Sequence, residues 1–471
     1  MKPRKKMALC KVDTQRGQAL VPVLFIVLIL TAVAATLSSQ GRQEIKAAAN
    51  SGADYQAYCI EQGVVRYVAN QIQQLSANGI TSAALPAPAN QDSNGWAPMG
   101  DGWYKVDVID TASRLNINTA DVTQLVKLPV LSDNPDIACA IVDWRDSDEN
   151  PTETVGGTGA ESDYYQSLNP PYSAKNAPFD TVDELLLVKG ITSDLFYGAA
   201  GSNSSANSVT GISSDLSSTI TSGDTSNSLS ELVTTYSLEQ NVASDGTARV
   251  NVKTASQSDL QTKLNIPANV ARRIVSDRGS NGANLKTIAD LMNTNGVNRT
   301  LMNQIGDKIT ISSKASNPGL VNINNASEAV LRTIPNIDDI AIKAIMDART
   351  AGTAFTGLND VFAVTALDRQ HLQRLIPYIC TKSSIYLVRV RVRMPGIDRV
   401  YAAQALVEIT ASSETTTSGS PTTSLTGNTV QPAPVILQFR EVQRNPGWST
   451  WVSPTQQSTT PAAPSTVGIT R

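Results

Sequence analysis

No charged residue occurs between Arg16 and Arg42, and the stretch from Ala19 to Leu37 is a nearly unbroken apolar run. At 1.5 Å of rise per residue, about 20 such residues span the ~30 Å hydrocarbon core of a bilayer. Lys2, Arg4, Lys5, Lys6, Lys11 and Arg16 precede the run against a single Asp13, a net of +5. A basic flank of this kind stays cytoplasmic, so the spacing predicts a single-pass segment with the rest of the chain exported.

Two kinds of processing fit this start. A secretory signal peptide is cut after small residues, which Ala32-Val33-Ala34-Ala35 supply. The other arrangement, Gly17 directly before the apolar segment, resembles the type IV prepilin pattern. There the cut falls between Gly17 and Gln18 and the helix stays on the mature protein. Ile45, Ala48, Ala49, Ala53, Val64, Val65, Val68 and Ile72 continue at helical spacing, which predicts one helix from about Gln18 to Leu75. Pilins generally carry Glu at the fifth mature position; Pro22 stands there, which by that resemblance suits a subunit at the tip with nothing above it to engage.

The formal net charge of the chain is −3, so the part beyond the leader carries −8. That sign repels nucleic-acid phosphate and attracts divalent cations. Of four cysteines, Cys10 lies in the leader; Cys59, Cys139 and Cys380 have no zinc or CxxC spacing and read as buried single thiols, with one disulfide as the alternative.

A motif occurs three times: Arg114-Leu-Asn-Ile-Asn-Thr-Ala120, Arg249-Val-Asn-Val-Lys-Thr-Ala255 and Leu320-Val-Asn-Ile-Asn-Asn-Ala326. Each copy continues with an apolar helix, a proline (Pro129, Pro267, Pro335) and a second helix ending at Arg145, Arg278 or Arg349. The Asn and Thr side chains of the motif are expected to cap the first helix, and the helix pairs to bury their faces on one another. The third copy, running on to Pro377, resembles the helix-hairpin-helix modules of competence DNA receptors. The hairpin glycines of those modules are missing from Pro267-Ala-Asn269 and Pro335-Asn-Ile-Asp-Asp339, so a scaffold is expected and nucleic acid is not.

Carboxylates gather after the first copy: Asp143, Asp146, Asp148 and Glu149, then Glu161 and Asp163 beyond a Pro/Gly-rich loop. Such a set suits Ca²⁺, a hard cation taking six to eight oxygens, although the EF-hand frame is absent; a solvated acidic loop is the equal alternative. Aromatics spaced for a sugar groove are absent, and His371, the single histidine, lies among Leu367, Leu372 and Leu375 as a capping or surface residue. Neither a catalytic site nor a small-molecule substrate is expected.

Alternation predicts strands at about 103–110, 385–393, 398–409 and 435–442, closing one sheet against the amino-terminal helix. Together these features resemble the K-class minor pseudopilin of type II secretion (general secretion pathway protein K). The resemblance rests on Gly17 without the fifth-position Glu, Asp143-Trp-Arg-Asp146-Ser-Asp148, Gly159-Ala-Glu161, Pro170-Pro-Tyr172, Asn176, Glu184-Leu-x-x-Val188-Lys-Gly190 and Phe439-Arg-Glu441. It implies an α+β, pilin-like fold: a long N-terminal transmembrane α-helix packed on an antiparallel sheet, with a large inserted α-helical domain of helix-hairpin-helix/SAM-like repeats. It also implies calcium at Asp146, Asp148 and Glu161, with Asp143 and Asp163 beside them. The implied partners are other minor pseudopilins, the major pseudopilin, a prepilin peptidase and the inner membrane, with the C-terminal domain in the periplasm. A membrane-anchored DNA-uptake receptor or a type IV pilus minor pilin is the alternative. The expected organisation is a leader 1–17, a transmembrane half-helix 18–38, the rest of that helix with the first strand 39–112, and repeats 113–200, 231–313 and 314–382. A linker 201–230, C-terminal strands 383–443 with a linker 410–433, and a disordered tail 444–471 complete it.

Overall fold

The computed structural model describes residues 20–77, 88, 90–154, 156–197, 228–352, 354–397, 399–409 and 433–442. The leader, with Gly17 and Gln18, most of the two linkers and the tail lie outside the described residues. Two compact parts are distinguished, Met1–Cys59 and Ile60–Arg471.

The amino-terminal helix is Leu20–Ala77. It is long and apolar enough to cross a membrane, with a mean hydropathy of 2.2 in its most apolar window. Val23 through Leu30 are exposed, as a lipid-facing surface requires, and the Thr31 and Thr36 hydroxyls donate to Leu28 O and Val33 O within the helix. From Ile60 onward the same helix behaves as a core element: Ile60, Val64, Val65, Val68, Ala69 and Ile72 are buried. They pack on the sheet so closely that a Cβ on Gly102 would sit 2.9 Å from Ile60 Cδ1 and 3.0 Å from Arg393 O.

The sheet is antiparallel, in the order Ala97–Met99, Gly102–Asp110, Ile385–Arg393, Val400–Glu408, Val435–Glu441. Its second and third strands pair directly, Val108 opposite Val388 and Val106 opposite Val390, although some 275 residues separate them. Val388, Val390 and Val392 are fully buried, while the alternate Arg389, Arg391 and Arg393 line the other face and pair with Glu231, Asp107 and Asp92. The short first strand, Ala97–Met99, is not among the strands expected from alternation. Ala-Pro-Met has no strand signature and is held there only by its partner strand.

The described residues between Asp110 and Ile385 form an insertion built from three repeats. Each opens with a two-residue strand (Leu115–Asn116, Val250–Asn251, Val321–Asn322) that pairs in parallel with a closing one (Val233–Thr234, Ile309–Thr310, Ile379–Cys380). In each, the first Asn of the motif accepts the backbone N–H two residues on: Asn118, Lys253 and Asn324. The arginine ending the second long helix donates to the motif's alanine carbonyl: Arg145 to Ala120, Arg278 to Ala255, Arg349 to Ala326. That shared bond is why three stretches of modest sequence likeness adopt one shape.

The helix caps differ from expectation. The capping oxygens belong to the residue after the alanine, Asp121, Ser256 and Ser327, not to the Asn and Thr of the motif. Those polar side chains reach further. Asn118 clamps Phe179 N and O, and Asn324 clamps Phe355 N and O, whereas Lys253 at the same place packs over Gly282. Asn325, which replaces the motif Thr, donates to Asp110 Oδ2 at 2.9 Å alongside Asn322 at 2.6 Å. Each repeat also has a second half that was foreseen only in the third: Val182–Leu187, Ile288–Asn293 and Leu358–Ala363, followed by Ser193–Tyr197, Arg299–Ile305 and Arg369–Leu375. The first repeat closes at Val233–Thr234, so the stretch expected to be a linker between repeats falls within its span.

Asp110 is fully buried at the junction of sheet and insertion, and it accepts from Asn322, Asn325 and the Ala112 N–H. Removing the donor in Asn322→Ala leaves a buried carboxylate short of a partner. It should cost about 1–3 kcal/mol, read as a lower urea midpoint for the full chain in detergent.

Candidate metal centre

The first repeat differs from the other two by a loop, roughly 146–176, placed between its second long helix and the Phe179 clamp. Asp143 sits on the last turn of the Pro135–Arg145 helix, Asp146 is the residue that ends it, and Glu161 precedes the Ser162–Gln166 helix at its amino end. One carboxylate oxygen from each lies within 4.8 Å of the others. Gly159 makes this approach feasible, since a Cβ there would lie 1.8 Å from Asp143 Oδ2.

Hydrogen bonds hold the frame and leave the centre bare. Thr152 N–H donates to Asp143 Oδ1 at 2.9 Å, and Thr158 N–H donates to Asp136 Oδ1 at 2.6 Å, pinning a small hairpin of Glu153–Thr154 and Gly157–Thr158. Glu149 accepts from Ser162 N, Ser162 Oγ and Asn176 Nδ2, tying both ends of the loop. By contrast Asp143 Oδ2, Asp146 Oδ1, both Glu161 oxygens and Asn176 Oδ1 are buried and accept nothing. Five orphaned acceptor oxygens on one loop have a common remedy, a cation.

Beneath the loop, Trp144 meets Tyr165 edge-on at 5.2 Å and stacks on Phe179, and Tyr165 lies against Tyr172. Burial pushes the Glu161 carboxyl up to about 7, and Asp143, Asp146, Glu149 and Asp148 push it further in the same direction. Asp146 is raised too, by burial first and then by Asp148 and Asp143. The donor set is all oxygen, which suits a hard cation such as Ca²⁺, Mg²⁺ or Mn²⁺ and does not suit a zinc site.

The structure thus brings Asp143, Asp146 and Glu161 together. Asp148 is exposed and accepts from the Asn150 backbone N–H and side-chain amide, and Asp163 is exposed on the first turn of its helix; neither joins the triad. Asp143 outranks them because it is fully buried, which its place on a helix did not disclose. Asn176 was seen only as part of the loop's pattern. Elsewhere, His371 completes a capping box with Asp368 and reaches Asp338 Oδ2 at 2.8 Å, the capping role expected of it. Cys139 and Cys380 are buried free thiols; Cys59 is free but exposed, unlike the expectation.

Residues 111–198, which contain this loop and most of its repeat, match the family model described as type II secretion system (T2SS), protein K. Type II secretion system protein K of Aeromonas hydrophila is 27% identical over 217 residues, covering 39% of this chain and 61% of the relative. Its counterpart from Pseudomonas aeruginosa is 29% identical over 196 residues, covering 37% and 57%. The chain therefore matches about three fifths of the length of these curated relatives. A solved GspK–GspI–GspJ complex from the type 2 secretion system of enterotoxigenic Escherichia coli aligns at 13% identity with a TM-score of 0.37, covering 84% of this chain and 99% of that one. The chain is thus similar, over residues 111–198 and the aligned stretches, to protein K of type II secretion systems.

The raised Glu161 carboxyl fixes the sign of a pH effect. Its ordinary value is 4.5 and its folded value about 7, so between these pH values the fold holds a proton that the unfolded chain has lost. With chelator present, this contribution is complete below pH 4.5 and is lost as pH rises toward 7. Thermal unfolding should show a Tm falling across that window, flattened in Glu161→Gln and countered by a divalent cation that replaces the proton. A chelated wild-type Tm that climbs through the window would contradict the assignment.

Proposed function

We propose that this protein is a minor pseudopilin capping the tip of a type II secretion pseudopilus, a structural and not a catalytic subunit of protein export across the outer membrane. The observation that carries the reading is the coincidence of the protein K match at 111–198 with the repeat that holds the acidic triad. The apolar helix supports an inner-membrane anchor with the C-terminal domain in the periplasm. In this reading a prepilin peptidase cuts between Gly17 and Gln18, and the freed helix packs beside those of the major pseudopilin and other minor pseudopilins. The insertion between Asp110 and Ile385 gives the subunit its bulk, which blocks addition above it and fixes it at the tip. The leader 1–17 and the transmembrane half-helix 18–38 expected from the sequence belong to the same proposal, with the first repeat extended to its closing strand Val233–Thr234.

The helix pairs are read as helix-hairpin-helix/SAM-like modules serving as scaffold. Asn265 and Asn336 support this: with φ of 53° and 55° they take the left-handed turn conformation for which such hairpins normally use glycine. The cation is read as Ca²⁺, held by Asp143, Asp146 and Glu161 with Asn176 Oδ1 as a further oxygen; it would lock the loop onto its repeat. Asp148 and Asp163 are left to solvent.

Processing tests the reading. Co-expressed with a prepilin peptidase, the chain should lose Met1–Gly17 by mass spectrometry, and Gly17→Val should stay uncut. Cleavage after Ala35 would mark an ordinary signal peptide, and no cleavage at either place would sink the pseudopilin assignment.

A further inference from the structure

The inward side of the amino-terminal helix, from Ile60 to Gln73, carries a single charged residue, Glu61, which is only 2% exposed. The register of the sheet shows what it meets. On the helix-facing side Val390 lies beside Ala403, and Ala403 beside Glu441 at the end of the last strand. The other titratable residues on that side are Tyr104 and Tyr401, with Asp110 and Tyr386 nearer the insertion; no strand presents a lysine or arginine there. Arg399, exposed in the turn before Tyr401, lies over that tyrosine's ring at 4.3 Å. On the helix itself Tyr58 stands one turn earlier. Glu61 makes no hydrogen bond or ion pair among the described residues. Burial pushes its carboxyl up to about 8, and Glu441 pushes it the same way. The neighbouring Arg440 points to the opposite face, where it pairs with Asp183.

We propose that Glu61 makes the seating of the last strand, Val435–Glu441, on the amino-terminal helix a proton-dependent latch. With the strand seated, the Glu61 carboxyl lies in a dry contact beside a second carboxylate, with no cation facing it, and the neutral acid is the form that fits. With the strand lifted, water reaches Glu61 and the carboxylate forms. The strand is free to open locally because it lies at the edge of the sheet, bonded among the described residues to Val400–Glu408 alone, and its departure leaves the other four strands paired. The ordinary value of the group is 4.5 and its seated value about 8, so the proton's contribution to seating is complete below pH 4.5 and is lost as pH rises to about 8. That window overlaps the one set by Glu161, so the exchange of the strand itself, and not Tm, reads the latch. The inference stands apart from the pseudopilin reading and from the metal centre.

Hydrogen exchange of the full chain in detergent, read by mass spectrometry and corrected for the intrinsic pH dependence of exchange, tests it. Protection of 435–441 should fall by up to about tenfold per pH unit between about pH 5 and about 8 and level off above. Protection of Ile385–Arg393 should hold over the same range. Glu61→Gln, which keeps the shape and removes the charge, should leave 435–441 as protected at high pH as at low. Glu441→Gln should move the levelling point to lower pH, because one source of repulsion is gone. Protection of 435–441 that ignores pH in the wild type, a pH dependence that survives Glu61→Gln, or an equal loss in Ile385–Arg393 would overturn the proposal.

Discussion

Three carboxylates whose oxygens lie within 4.8 Å of one another, two of them on buried residues, set the terms for the first repeat. Like charges at that separation repel strongly in a partly desolvated site, and the surrounding hydrogen bonds go to the frame and not to the inward oxygens. The loop therefore requires either protons or a cation. Its aromatic floor of Trp144, Tyr165 and Phe179 is buried and offers the carboxylates no hydrogen-bond donor in place of a cation. The shape of the insertion's first third depends on how that charge is met.

The remainder is held by bonds of a different kind. Asp110 joins the end of a sheet strand to the third repeat through Asn322 and Asn325. The ion pairs Arg114–Glu231–Arg389 and Asp183–Arg440 join the first repeat to the same sheet. Both ends of the insertion are thus tied to adjacent strands, Gly102–Asp110 and Ile385–Arg393. A sheet completed by strands so distant in sequence can carry a large insertion without losing its register.

Much of this architecture is legible in the chain because its signals are local. The amino-terminal apolar helix is written in uninterrupted apolar composition, and the long strands in period-two alternation that the observed Ile385–Arg393 and Val400–Glu408 follow. The repeats show themselves in the Asn-x-Asn/Lys-x-Ala motif, whose Asn turns the backbone and whose alanine carbonyl meets a conserved-position arginine within each copy. What stayed hidden is non-local. Two-residue parallel strands such as Ile379–Cys380 carry no pattern of their own, and the caps moved by one residue because Asn118 and Asn324 were engaged with distant phenylalanines. At the acidic loop, spacing favoured the Asp146–Asp148 pair, but folding turns Asp148 to solvent and draws in Asp143, one helical turn earlier.

Calorimetric titration of Ca²⁺ into the chelator-treated full chain in detergent tests the central claim most directly. Saturable binding that disappears in Asp143→Asn and in Glu161→Gln, with folding intact by circular dichroism, and persists in Asp148→Asn and Asp163→Asn is the predicted result. Absence of binding to the wild type, or binding lost only with Asp148 or Asp163, would contradict the claim that the buried triad is a cation site.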